Sequence, residues 1–216
     1  MIEAVLYDHD GTLVDSLGIV IAATNRVLEQ RRLPVCPGPE IIAAMVHPTA
    51  PRMGLHAGID DPDEQRLLAS EFYAAAHVVG SACAKVYGGV HALLAALGGR
   101  GLTQGVISNN QGRLIRRLLA DLRLDMHFGV VLGEEDMPSP KPDPGGIRIA
   151  AERLGIPLER CIYVGDTPGD LHTAQAAGIR CVGVTWGITS RSALARHPFL
   201  TLVDRPDELE AVIARG

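Results

Sequence analysis

Along this chain the spacing of apolar residues changes character twice. A short apolar run near the N-terminus reads as a buried strand, and it ends in Asp8-His9-Asp10-Gly11-Thr12. Ile19, Val20, Ala23, Val27 and Leu28 then recur at helical spacing, behind Asp15 or Ser16, either of which can cap a helix. Pro34, Pro37 and Pro39 break that helix. The stretch 40–84 reads as helix-rich, punctuated by Gly54, Gly58 and Asp60-Asp61-Pro62, and carries no strand pattern. Gly88-Gly89 closes it. From there strands and helices alternate: helix 90–97, strand 102–107, helix 113–122, strand 130–132, helix 144–154, strand 161–164, helix 168–177, strand 180–184, strand 200–203 and helix 206–214.

Apolar strands joined by helical crossovers form a parallel sheet covered on both faces. The expected fold class is therefore α/β, a Rossmann-like parallel-sheet core built from 1–15 and 88–216, with 16–87 inserted as a helical domain. In such sheets ligands bind beyond the carboxyl ends of the strands, so the residues just after each strand are the ones to inspect.

Composition narrows the function. The formal net charge is -5 and the basic residues are scattered, which argues against a nucleic-acid partner. No uninterrupted apolar run approaches a membrane-spanning length, and the N-terminus carries Glu3 and no basic region, so no membrane partner and a cytoplasmic location are expected. Cys36, Cys83, Cys161 and Cys181 form no CxxC pair, which fits reduced thiols, and the last two lie in apolar runs where Cys acts as a small core residue. Oligomeric state leaves no mark in the sequence.

The strand ends carry the chemistry. Asp is depleted in strands, and the two carboxylates of Asp8-x-Asp10 repel each other, so a positive or protonated group belongs beside them. Ser108-Asn109-Asn110 follows the next strand and leads into a helix N-terminus, a natural anion seat, although Ser-Asn there is more often only a cap. Of the 20 basic residues only Lys85 and Lys141 are lysine, and Lys141 is framed by Pro138, Pro140, Pro142 and Pro144, which fix the backbone where a solvated lysine needs no frame. Gly165-Asp166-Thr167-Pro168-Gly169-Asp170 ends another strand: Thr167 is the expected N-cap, Pro168 the first helical residue, and Asp166 projects from the strand end. Asp170 in the first turn has the helix dipole as a sufficient structural reason.

Together, Asp8-x-Asp10-Gly11-Thr12, Ser108-Asn109, Lys141-Pro142 and Gly165-Asp166-x3-Asp170 resemble, in order and spacing, the motifs of haloacid-dehalogenase-superfamily hydrolases with a helical cap after the first strand. The tail Gly183-Val184-Thr185-Trp186-Gly187 resembles that of phosphoglycolate phosphatases and their relatives. The resemblance implies an Mg²⁺-dependent phosphoric monoester hydrolase acting on a small phosphorylated metabolite, of the phosphoglycolate or sugar phosphate type. It also implies Mg²⁺ held by the Asp8 side chain, the Asp10 backbone carbonyl and Asp166, with Asp170 behind them. Asp8 is then the nucleophile that forms an aspartyl-phosphate, Asp10 the acid and later base, and Ser108, the Asn109 backbone N–H and Lys141 the holders of the phosphoryl oxygens. Such a site answers a physical need, since two unit charges about 3.5 Å apart repel by roughly 5 kcal/mol at an effective dielectric near 20. Asp10 argues against the dehalogenase branch, which lacks it, and the absence of lysine between Ser16 and Ala84 argues against the phosphonatase branch. A phosphohexomutase resembling β-phosphoglucomutase and a catalytically idle binding protein remain the alternatives.

Two departures stand out. His9 occupies a position that is usually apolar in this family; strand alternation turns it away from Asp8 and Asp10, as a hydrogen-bonded core imidazole. Gly88-Gly89 stands where relatives often have Pro-Gly, a looser hinge. Within the inserted domain Arg52 can pair with a substrate carboxylate or second phosphate, but a helical arginine more often lies on a solvated face, and that is the expectation. His47 and His56 are weaker candidates.

Overall fold

The computed structural model describes residues 1–215, Val46 and Arg215 by backbone alone. The chain divides into two compact units, one made of Met1–Asp15 with Val86–Gly216, the other of Ser16–Lys85.

The first unit is an α/β sandwich. Its strands are β1 (Ala4–Tyr7), β2 (Val14–Asp15), β3 (Lys85–Val86, at the boundary), β4 (Thr103–Ile107), β5 (Val130–Leu132), β6 (Cys161–Gly165), β7 (Arg180–Val184) and β8 (Thr201–Val203). Six of them form one sheet in the order β5-β4-β1-β6-β7-β8, parallel throughout, with Ala4 in register with Thr103 on one side and Cys161 on the other. All four residues of β1 are buried, as a central parallel strand with both faces covered requires. On one face Ala4, Leu6, Ile107, Cys161 and Tyr163 pack against Ile147 and Ala150, from the helix Gly145–Leu154, and Leu171 and Ala174, from Pro168–Ala177. On the other, Tyr7 donates to Gln104 Oε1 at 3.1 Å, and the Gln104 amide donates to the Leu94 carbonyl of helix Val90–Gly99 at 2.9 Å. The helix Gly112–Asp121 packs on β5, and the C-terminal helix Pro206–Arg215 on Val90–Gly99. The expected α/β alternation is therefore present; the two-residue strands β2 and β3 and the short helix Arg191–Leu194 are additions.

β1 lies between β4 and β6, where the chain switches from winding one way to winding the other. In open parallel sheets ligands bind beyond the carboxyl ends of the strands at such a switch point.

The second unit is helical: Leu17–Gln30, Gly38–Ala43, Thr49–Ala57 and Pro62–Val79. Ser16 occupies the N-cap of the first helix without making a capping bond to its first turn. The longest helix starts where Asp61 accepts from the Asp63 and Glu64 amides, with Pro62 at its first position. Its face of Leu68, Phe72, Ala75 and Ala76 is buried against the helices Leu17–Gln30 and Thr49–Ala57. Arg31 clamps Glu71 through two guanidinium nitrogens at 2.8 and 2.9 Å.

Candidate active site

Asp8 follows the last residue of β1, and its amide donates to the Val164 carbonyl of β6 at 2.9 Å, which fixes its backbone at the carboxyl edge of the sheet. Asp166 follows β6, and Thr167 and Asp170 start the next helix with a reciprocal capping box: the Asp170 amide donates to Thr167 Oγ1 at 3.3 Å, and the Thr167 amide to Asp170 Oδ2 at 3.1 Å. The box leaves Asp170 Oδ1 facing Lys141. The Lys141 ammonium is 2.6 Å from Asp8 Oδ1, 2.8 Å from Asp170 Oδ1 and 3.2 Å from the Tyr163 hydroxyl. Its main chain is gripped by Asn109, whose Nδ2 donates to the Lys141 carbonyl at 3.1 Å and whose Oδ1 accepts from the Lys141 amide at 2.7 Å. The Asn109 side chain is thus a clamp on the lysine loop, and only its backbone N–H stands as a candidate for an anion.

Asp166 is enclosed. Oδ1 accepts from Thr12 Oγ1 at 3.2 Å and Oδ2 from the Ile188 amide at 2.7 Å. A Cβ at Gly11, whose φ is +84°, or at Gly187 would collide with this carboxylate, so both positions need glycine for the backbone to close over it. The Trp186 indole donates to the Thr12 carbonyl at 3.0 Å and pins the loop from the far side.

Asp10 turns away from this group. Its Oδ2 accepts from Asn110 Nδ2 at 2.8 Å and from Ser108 Oγ at 3.3 Å, and Ser108 Oγ accepts from the Asn110 amide at 3.1 Å. The sequence places Asn110 in the Ser108-Asn109-Asn110 run after a strand, but gives no sign that its side chain holds Asp10. The helix N-terminus behind it is not an open anion seat, because Glu135 Oε2 already accepts from the first amide, Gly112 N, at 2.8 Å.

His9 differs from expectation. It is fully buried, but Nδ1 lies 3.1 Å from Asp10 Oδ1, and neither ring nitrogen makes a hydrogen bond of good geometry among the described residues. The regular strand ends at Tyr7, so two-residue alternation no longer decides where residue 9 points. Arg52 differs too. It is 6% exposed rather than on a solvated face, its guanidinium 5.0 Å above the Phe72 ring within the helical unit. His56 stands one turn further along that helix; burial and the Arg52 charge lower its pKa, against a raising effect of Glu40. His47 is exposed.

Electrostatically the site is short of positive charge. Among the described residues, Asp8, Asp166 and Asp170 offer carboxylate oxygens within 4.8 Å of one another, all buried, against the single ammonium of Lys141. Burial drives the Asp8 pKa well above the usual carboxylate value, with Lys141 opposing and the neighbouring carboxylates adding to the rise. Asp166 is pushed up from 3.8 to about 7, by burial first and Asp170 next, against the Ile188 amide, Lys141 and Thr12. Burial opposes the Lys141 charge, yet Asp170 and Asp8 outweigh it and hold its pKa well above 10.5. Carboxylate oxygens in this number, buried and incompletely neutralised, are a donor set suited to a hard divalent cation.

Paired acids, a lysine whose ammonium lies between two of them and a serine, all at adjoining strand ends of a switch point, suit a hydrolase of the α/β class that acts on an anionic centre. The model of haloacid dehalogenase-like hydrolases matches residues 5–184, and the chain belongs to that family. A phosphoglycolate phosphatase of Photorhabdus laumondii is 33% identical over 98% of this chain and 92% of its own length; one of Yersinia pestis is 31% identical over 98% and 93%. Among solved structures, a haloacid dehalogenase-like hydrolase from Bacteroides fragilis superposes with a TM-score of 0.87, at 27% identity, over 97% of this chain and all of the other. No helix among the described residues is long and apolar enough to cross a membrane.

Proposed function

We propose that this protein is a phosphatase for a small phosphorylated metabolite of the phosphoglycolate type, using Mg²⁺ and a phosphoryl group carried transiently on Asp8. The observation that carries the reading is the Lys141 ammonium bridging Asp8 and Asp170 beside Asp166, a charge arrangement suited to a phosphoryl group and a divalent cation together. Its curated relatives of similar length bear the name phosphoglycolate phosphatase, which supports the substrate class.

In this reading Asp8 attacks phosphorus while the bond to the leaving oxygen breaks, and Asp10 gives that oxygen its proton. Asp10 then takes a proton from water, the water oxygen attacks phosphorus, and the bond to Asp8 breaks to release inorganic phosphate. Its contacts to Asn110 and Ser108 suit this role, because they hold Asp10 by one oxygen in a fixed orientation. Ser108, the Asn109 N–H and Lys141 hold the phosphoryl oxygens. Mg²⁺, held by Asp8, Asp166 and the Asp10 carbonyl with Asp170 behind, would supply charge neutralisation between two anions. Phosphate release from phosphoglycolate and a panel of sugar phosphates, with and without Mg²⁺, tests the reading. Metal-dependent release with phosphoglycolate preferred is the expected result; isomerisation of a hexose phosphate with little release would replace it by a mutase.

The raised Asp166 pKa makes a separate prediction. Between pH 4 and 7 the folded state holds a proton that the unfolded state has lost, so stability of the metal-free protein falls as pH rises through that window. Mg²⁺ binds the ionised form, so it raises the thermal midpoint more at pH 7.5 than at pH 5. In Asp166→Asn both the fall and the Mg²⁺ response shrink. Thermal unfolding in chelator and in Mg²⁺ checks this; an undiminished Mg²⁺ response in the variant removes Asp166 from the cation site.

A further inference from the structure

Tyr163 lies in the middle of β6, on the face packed by Leu6, Ile107 and Ile147, and it is completely buried. A phenylalanine would fill that place, and a buried phenol is retained only where its hydroxyl finds partners. Here it finds two. The hydroxyl accepts from Lys141 Nζ at 3.2 Å and donates to the Ile107 carbonyl at 3.4 Å. Ile107 is the last residue of β4, and the next residue is Ser108. An ammonium has three protons, and the Asp8, Asp170 and Tyr163 oxygens accept all three. Two of those acceptors are anionic and pull the lysine towards the acids. Tyr163 is the neutral third, and it pulls towards β4. Burial holds the phenol in its protonated form, against the opposing effect of Lys141, so it keeps a proton for Ile107.

We propose that Tyr163 is a positioning residue whose hydroxyl ties the Lys141 ammonium to the carboxyl end of β4, setting the distance between Lys141 and Ser108. The inference rests on the reading above, in which these two residues hold the same phosphoryl group. Without the hydroxyl the third N–H loses its acceptor, and the ammonium settles onto Asp8 and Asp170, away from Ser108 and tighter on the nucleophile. Transition-state binding suffers more than substrate binding, since charge on the phosphoryl oxygens and the leaving group is redistributed only as the reaction proceeds.

Tyr7 supplies an internal control. It too is a fully buried tyrosine, and its hydroxyl donates to Gln104 on the opposite face of the sheet. Tyr163→Phe and Tyr7→Phe each delete a buried hydroxyl and lower the thermal midpoint. Only Tyr163→Phe lowers kcat, by about tenfold with KM within about twofold, as expected for one hydrogen bond to a charged group. The chain's two lysines provide a readout independent of turnover: protein labelled with ¹⁵N-lysine shows side-chain resonances of Lys85 and Lys141 alone, assigned with Lys85→Arg. Tyr163→Phe shifts the Lys141 resonance and speeds its proton exchange, and leaves that of Lys85 in place. An unmoved Lys141 resonance, or kinetics equal to those of Tyr7→Phe in an active wild-type background, overturns the tether. A wild-type protein that releases no phosphate from any ester overturns the functional reading instead, and the lysine resonance then decides the tether alone.

Discussion

Asp8→Asn lowers kcat by at least about 10⁴-fold and leaves the thermal midpoint within a few degrees of wild type. Asparagine has the shape of aspartate but no nucleophilic oxygen, so the covalent step has no starting group. Two opposing effects on stability make the fold indifferent. The variant loses the 2.6 Å contact between Asp8 and Lys141, and it also relieves a carboxylate whose burial drives its pKa well above the usual value. Steady-state phosphate release measures the first effect and thermal unfolding the second. Acid-quenched wild type incubated with substrate labelled in its phosphoryl group retains label on the protein, and Asp8→Asn does not. Substantial turnover by the variant would mean that water attacks the ester directly, and Asp8 would then be only a ligand or a charge.

Much of this was legible in the chain because parallel sheets encode themselves locally. A strand buried on both faces is an apolar run, its crossover is a helical period, and the residue after each run lies at the carboxyl edge. Asp8, Ser108 and Asp166 could be placed at that edge on this ground. Lys141 needed another signal, its rarity and its proline frame. What escaped is what depends on contacts across the fold. Asn110 meets Asp10 a hundred residues away, and Tyr163 meets Lys141 from inside a strand whose pattern is satisfied by any large apolar residue. Arg52 shows the same limit in the helical unit: its aromatic partner Phe72 comes from another helix, so helical periodicity could not tell a buried cation from a solvated one. His9 is buried as its sequence context suggests, but its orientation is not fixed by period-two alternation, because the strand that enforces that period ends at Tyr7. A strand of two residues, such as β2 or β3, is too short for a period of two to register at all.

Lys141→Met separates charge from shape at the centre of the site. Methionine keeps a long flexible stem in a place where the lysine side chain is 9% exposed, but it leaves Asp8 and Asp170 facing each other without an ammonium. Removing one member of a buried ion cluster costs about 3–5 kcal/mol. The cost depends on pH. Asp8, whose pKa burial already raises, loses the opposing ammonium and takes up a proton more readily in the folded state than in the unfolded one, so the variant is least unstable near pH 5 and loses stability as pH rises towards 7.5. Mg²⁺ restores part of the thermal midpoint, because a cation can replace the missing charge. It does not restore turnover, because nothing then takes the lysine's place against the phosphoryl oxygen, and kcat falls by about 10³-fold or more. Lys141→Arg keeps the charge and so recovers part of the stability, but not turnover: a planar guanidinium cannot donate to Asp8, Asp170 and Tyr163 from one point. Thermal midpoints at pH 5 and 7.5 with and without Mg²⁺, set beside phosphate release, check both halves. Wild-type stability at pH 7.5 would show that the ammonium does not neutralise these acids, and wild-type turnover would remove it from the reaction.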